Sequence, residues 1–351
     1  MKRVALVGVA GPNLGDTAIA QSICEAAERR ECEVTVVHPG KVGRPLPRFP
    51  ELTFSRRRIG DWRALLSLVR RSDNVWIGGG SLIQDRLGTS LVRGMIPFVC
   101  QIALLARIGG HIPTLMCVGV DRLDSRLGKR LASFVLRRLT KRIVVRDQQS
   151  YRRARVLAGG SERIQVCPDP AFVLRIDPDT AQDANVTLVP SRHDMQWQDA
   201  AALFAQLLES IQVSKSSINM VLSDTSASER EYADNIRRHL GEQGFDVRCY
   251  IPQTVDALLE RLAAAPLLLS MRLHPVILAF SDRNCVIVSD NSKLTSLARE
   301  LELPRVSPAK WFAGERLVFD SRPLDAKTSA ARVKLREARS SAFTRTLEQL
   351  Q

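Results

Sequence analysis

A chain of 351 residues, 45% of them hydrophobic, exceeds what one core ordinarily fills and is ample for two globular domains. A net charge of +14 with an isoelectric point near 10.0 favours polyanions and anionic surfaces as partners, while an aromatic content of 5%, not interleaved with the basic runs, argues against nucleic acid. The uncharged stretch Gly94 to Ala106 is too short to cross a bilayer and predicts a buried helix. The apolar start at Val4 gives way at once to a Gly/Asn/Asp turn, without the long apolar core of a signal peptide, so a cytoplasmic location is expected. Seven cysteines are scattered without a CxxC pair, mostly inside apolar segments, and read as buried thiols. The five histidines lie far apart, so no structural metal is expected. The basic runs Arg56 to Arg58, Arg70–Arg71 and Arg137–Arg138 fall on or beside polar helix faces. Solvation accounts for each; a polybasic face that holds a lipid-linked substrate at an anionic membrane surface is the functional alternative.

In chain order, short apolar runs alternate with amphipathic stretches, the pattern of parallel sheets flanked by helices. Strands are predicted at Val4 to Ala10, Val34 to His38, Asn74 to Ile77, Pro113 to Gly119, Arg142 to Val145 and Ile164 to Cys167. The Asp-rich segment Ile176 to Ala184, with Pro178, shows no apolar period and reads as a linker. Alternation restarts with strands at Val186 to Pro190, Ile218 to Leu222, Asp246 to Tyr250, Pro266 to Ser270 and Cys285 to Ser289. After Pro323 a basic helix fills 324–351 and can pack back on the first domain. The expected architecture is α/β: two Rossmann-like doubly wound domains, 1–176 and 185–323, facing a cleft at their strand ends, where open α/β sheets place ligands.

Residues 271 to 280, MRLHPVILAF, follow a predicted strand directly. Pro275 disfavours the α region at His274 and suits the first helical position, so the motif reads as an extended strand end feeding a helix. In an extended segment alternate side chains share a face, which would aim Arg272 and His274 together at the crevice. The stretch GPNLGDTAIAQSI, residues 11 to 23, opens a helix after the first strand, with Asp16 as its expected N-cap. Gly11 and Gly15 permit close backbone approach, so that Asn13, Gly15 and Asp16 could cradle an anion on free helix N–H groups; a plain strand-to-helix turn needs the same glycines. Gly78, Gly79, Gly80 and Ser81 again leave a strand and suit a phosphate or sugar lying against the backbone, with Asp85 either a sugar acceptor or a helix cap. Arg146–Asp147 ends a further strand as an ion pair, a cap or a ligand contact. Pro168 and Pro170 fix the direction of Asp169. Arg192 and Lys293 occupy further strand-end loops of the second domain.

Together these motifs resemble the polysaccharide pyruvyl transferase family. The resemblance is carried by Asn13-Leu14-Gly15-Asp16, the glycine turn 78 to 85 ending in Gln-Asp, Arg146 to Ser150, Asp169 to Phe172, and Arg272-Leu273-His274 with Lys293 beyond. It implies a fold similar to two-domain glycosyltransferases of the B type, phosphoenolpyruvate as donor, and a pyruvate ketal on a sugar as product. It also implies donor binding by Arg272, with Arg192 in support, and acid catalysis by His274. A sugar or lipid-linked oligosaccharide would be the acceptor, with peripheral contact to the inner membrane face as a possible setting, and no cofactor beyond the co-substrate. A glycosyltransferase using a nucleotide sugar and a noncatalytic polyanion-binding protein are the competing readings.

Overall fold

The computed structural model describes residues 1–8, 13–39, 46, 48–85, 90, 94–160, 162–177, 179–180, 182–212, 217–315 and 325–350. Gly11, Pro178, Pro323 and the last residues of the first predicted strand lie outside the described residues, as do both ends of the segment 324–351.

The chain divides into two compact units: Met1–Gly11, Asp16–Pro170 and Arg339–Gln351 form one, Pro12–Gly15 and Ala171–Ala338 the other. The first unit runs β1 (Lys2–Val7), α1 (Leu14–Glu28), β2 (Cys32–Pro39), β3 (Glu51–Phe54), α2 (Ile59–Arg71), β4 (Asn74–Gly78), α3 (Met95–Ile108), β5 (Thr114–Val118), α4 (Arg126–Phe134), β6 (Ile143–Val145), α5 (Gln148–Ala158) and β7 (Ile164–Val166). Its seven strands are all parallel, in the order β3-β2-β1-β4-β5-β6-β7. The second unit runs β8 (Val186–Val189), α6 (Trp197–Ser210), β9 (Ile218–Val221), α7 (Ala227–Glu242), β10 (Val247–Tyr250), α8 (Val255–Ala263), β11 (Leu267–Ser270), α9 (Leu273–Ala279), β12 (Asn284–Val288), α10 (Ser292–Glu300), β13 (Arg305–Val306) and α11 (Pro308–Phe312). Its six strands are parallel in the order β10-β9-β8-β11-β12-β13. The long helix α12 (Ala326–Leu350) contributes its first half to the second unit and its second half to the first.

Every residue of β5, β8, β9 and β11 is buried, as parallel strands covered on both faces require. Two edge strands escaped sequence reading. β3 (Glu51–Phe54) shows little burial and β13 (Arg305–Val306) has only two residues, so neither carries an apolar run to be recognised. The fold is thus the expected pair of doubly wound parallel sheets.

Two local expectations are corrected. Asp16 is not the N-cap of α1: the helix starts at Leu14, and the Asn13 Oδ1 accepts the Gly15 N–H at 3.0 Å, the bond an N-cap makes. The second concerns α9, which begins at Leu273, with Arg272 as its extended N-cap (φ −121°, ψ 142°). His274 and Pro275 are therefore the second and third helical residues, not a strand end and a first helical proline. The first helical amides have no intrahelical acceptor, so a proline in that turn forfeits no hydrogen bond, and tertiary packing outweighs the steric bias it places on His274.

Candidate functional site

Strand order reverses direction between β8 and β11 in the second unit, and between β1 and β4 in the first. At such points the loops from neighbouring strand ends diverge and leave a crevice. Many of the residues picked out in the sequence lie at or beside these two places, while Asp85 and Lys293 do not.

In the second unit, β8 delivers Arg192, His193 and Asp194, β9 delivers Asp224, and β11 delivers Arg272 and His274. Glu229, in the first turn of α7, organises them. Its carboxylate is only 3% exposed and sits 2.5 Å from the Arg272 Nη2, 3.4 Å from the Arg192 Nε and 3.7 Å from the His193 Nε2. Asp224 lies 3.9 Å from the other terminal nitrogen of Arg272. Two guanidinium groups are thereby held at one buried carboxylate, Arg192 being half-exposed.

The segment Asn13-Leu14-Gly15, which includes the first two residues of α1, belongs to this same unit, the rest of α1 to the first. Asn13 forms an antiparallel bridge with Asp224, and the Leu14 N–H donates to the Ser223 carbonyl at 2.7 Å. This seats Gly15 on the ring of the buried His274: a Cβ at Gly15 would lie 2.1 Å from the His274 Nδ1 and 2.5 Å from its Cγ. No side chain fits there, which is the physical demand for glycine at this position. The proximity of Arg272 and His274 to one loop comes from these contacts, because the helical His274 does not alternate with Arg272 as strand residues would.

Burial raises the pKa of Asp194 against the Ser289 hydroxyl, which donates to it at 2.9 Å, and against the Arg272 charge. Burial and the Arg272 charge lower that of His193, against the pull of Glu229. Lys293 stands in the first turn of α10, beyond β12, with its N–H on the Asn291 side chain.

In the first unit, Gly79 (φ 80°) and Gly80 (φ 68°) take the left-handed conformation after β4, which glycine adopts without steric cost. A Cβ on Gly80 would meet the Asp16 Oδ1 at 2.8 Å. The Asn-x-Gly-Asp motif is thus divided: Asp16 joins the glycine turn, while Asn13 and Gly15 serve the His274 cluster. Ser81 accepts from the Arg146 Nη2 at 3.0 Å, and the Arg146 Nη1 reaches Asp169 at 3.4 Å. Arg146 is thereby committed to an ion-pair network, and its neighbour Asp147 caps α5 by accepting the Ser150 N–H at 2.6 Å. Asp85 stands apart from the glycine cluster. It accepts the Asp124 and Ser125 N–H groups at 3.0 and 2.8 Å and fixes the loop that starts α4. Burial pushes its carboxyl up, but these hydrogen bonds outweigh that and hold it below the usual carboxylate range.

Glu229 and Asp194 were not among the residues singled out from sequence. Ser226-x-x-Glu229 reads as a capping box, which would turn the carboxylate back toward its own helix start. Instead the Ser226 N–H is taken by the Asp224 side chain at 3.0 Å, and Glu229 is left to the arginines.

Similarity to solved structures places this architecture among two-domain glycosyltransferases of the B type and related epimerases. HepE of Anabaena, in complex with UDP and glucose, is similar over 100% of this chain and 98% of its own, with a TM-score of 0.59 and 14% identity. A sucrose-phosphate synthase from Thermosynechococcus elongatus (TM-score 0.60, 12% identity) is similar over 100% of this chain and 99% of its own. For the UDP-GlcNAc 2-epimerase of Methanocaldococcus jannaschii (TM-score 0.56, 10% identity) the shares are 96% and 100%. At these identities the likeness is one of fold. The sequence model of the polysaccharide pyruvyl transferases matches residues 13–286, and the chain belongs to that family of transferases. No curated protein matches it in sequence.

Proposed function

We propose that this protein transfers the pyruvyl group of phosphoenolpyruvate to a hydroxyl pair of a sugar in a polysaccharide or lipid-linked glycan. The observation that carries the reading is the His274 ring seated on Gly15 beside two arginines gathered by the buried Glu229. Phosphoenolpyruvate offers a carboxylate and a phosphate, and guanidinium groups bind both in forked geometry. Arg272 and Arg192 take the donor, with Lys293 in support. Imidazolium at His274 protonates the methylene carbon, which becomes a methyl group and leaves an oxocarbenium-like centre at C2. A sugar hydroxyl attacks that centre and loses its proton. The C2–O bond to phosphate then breaks, and a second hydroxyl closes the ketal as its proton is released. The sequence needs no cofactor beyond the co-substrate. Gly79, Gly80, Ser81 and Asp16, on the first unit, are the proposed sugar-facing residues. Asp85 and Arg146 support that region through the bonds described above.

Incubation with phosphoenolpyruvate and candidate glycans should release phosphate and add to the glycan the mass of pyruvic acid less one water. Turnover of UDP-glucose with no use of phosphoenolpyruvate would instead establish a glycosyltransferase. Glu229 acts in this scheme as a positioning residue. Glu229→Gln keeps its shape but removes the charge that holds both arginines, and should raise the KM for phosphoenolpyruvate about tenfold with a smaller change in kcat. An unchanged KM would mean that the arginines do not meet the donor.

A further inference from the structure

We propose that the outward face of α2, α3 and α4 docks the protein on an anionic membrane surface. The inference concerns the first unit alone and does not rest on the reaction assigned above. These helices cover one face of the first sheet, α3 packed between α2 and the α4 segment, all contributing to one apolar core. The buried helix expected over Gly94 to Ala106 is buried along one side of α3. Ile96, Val99, Ile102 and Ala103 point into the core, yet Leu104 and Ile108 are 41% and 67% exposed. Ile112, just beyond, is 48% exposed, and Phe134 on α4 is 43% exposed.

The exposed charge on these helices is mainly positive; the exposed Asp73, just after Arg71, accepts the Arg3 N–H at 2.7 Å. Neither α3 nor the segment Arg126 to Leu139 contains an aspartate or glutamate, while Arg107, Lys129, Arg130 and Arg138 face solvent there. On α2 the exposed Arg63, Arg70 and Arg71 line a shallow depression with Leu66 and Ser67. The sole acid of α2, Asp61, is bound to the Ser55 N–H at 2.8 Å. A Cβ at Gly109 would lie 2.5 Å from the Val69 Cγ1, so the Arg70–Arg71 end of α2 stands next to the Ile108–Ile112 end of α3.

Aliphatic side chains among a clear excess of arginines over acids are what an interfacial surface presents to acyl chains and anionic headgroups together. A second copy of the chain is a poor occupant, since a two-fold contact would set this positive face against itself. Nucleic acid would use the arginines but leave Leu104, Ile108 and Ile112 without the bases that aromatic platforms stack. Among the described residues no helix is long and apolar enough to cross a membrane, so docking would be at the surface.

The test is sedimentation of the full chain with phosphatidylcholine vesicles, with and without phosphatidylglycerol. Binding should require the anionic lipid and weaken as salt is raised. Arg70→Ser/Arg71→Ser should weaken it by about fivefold per arginine, or ~25-fold for the pair. Ile108→Ser/Ile112→Ser should weaken it by at least about tenfold, since apolar area that entered the interface is lost. Arg237→Ser/Arg238→Ser, on α7 of the second unit, removes equal charge elsewhere and should leave binding within about twofold. Unchanged thermal unfolding of each variant will show that it folds. The proposal is overturned by absence of binding at low salt or by full binding of the isoleucine variant. It is equally overturned if the control arginines lose as much, or if light scattering finds a dimer that Ile108→Ser dissolves.

Discussion

Replacing His274 with alanine is expected to lower pyruvyl transfer by about 10²- to 10⁴-fold, the usual contribution of a positioned general acid. Phosphoenolpyruvate binding should stay within a few-fold of the parent, because Glu229 continues to hold Arg272 and Arg192 when the ring is gone. The loss should therefore fall on kcat. Gly15→Ala offers an independent approach to the same ring, with the imidazole still present. Its methyl group would begin 2.1 Å from the Nδ1, far inside the ~3.5 Å at which such atoms come to rest, so the ring must move. A displacement of about an ångström costs on the order of 10²-fold when the group transfers a proton. The two variants should thus fail alike, and combining them should add little. Normal turnover by His274→Ala would remove the acid from this histidine. Normal turnover by Gly15→Ala, with the fold intact, would show that the ring position seen here is not the working one.

Arg336→Ala is expected to be the most destabilising single change in the second unit. Arg336 is fully buried, a rare state for arginine, and both terminal nitrogens of its guanidinium donate to carbonyls. It donates to the Leu174 carbonyl, and through its Nη2 to the Ile277 and Leu278 carbonyls at 2.6 and 2.9 Å. The last two belong to the closing turn of α9, whose carbonyls no longer have helical donors. The guanidinium also stacks 4.9 Å from the centre of the Phe280 ring, which meets Phe172 edge-on at 5.6 Å. Burial costs the cation enough to pull its pKa down to about 10. Alanine would leave three buried carbonyls unpaired and a cavity besides, a loss of about 3–5 kcal/mol. Arg336→Met fills the volume without the donors and should lose less, about 1–3 kcal/mol. Urea unfolding measures both, and a loss below about 1 kcal/mol for the alanine variant would contradict this account. Since Arg336 secures the end of the helix that Arg272 caps, milder variants should also loosen the site, read as a raised KM in protein that is still folded.

The sheets were legible because parallel strands buried on both faces must be apolar without interruption. Leu267–Ser270 and Val186–Val189 could hardly be anything else between amphipathic helices. The positions of the motifs at strand ends followed from the same reading, and with them the neighbourhood of Arg272, His274 and Arg192. The edge strands were hidden because an edge needs little apolar surface. The start of α9 was misread because a rule about the residue before proline is a local bias, and packing overrides it at a helix's first turn.

What the amino-acid sequence determined by itself was the fold class, the family, and which motifs stand at strand ends, since each depends on residues close together along the chain. Only the tertiary structure could decide what those motifs touch. Glu229 looks like a helix cap until Arg272 arrives from another strand, Asn13 and Gly15 leave the unit of their own strand for the other, and Arg336 looks like one more solvated cation on a basic helix. Arg336 finds its carbonyls at 174, 277 and 278, and the choice of such partners is made by packing over long separations, to which no local periodicity is sensitive. The same holds for the exposed apolar face of α3: its sequence is apolar nearly all round, and only the fold decides which side is left uncovered.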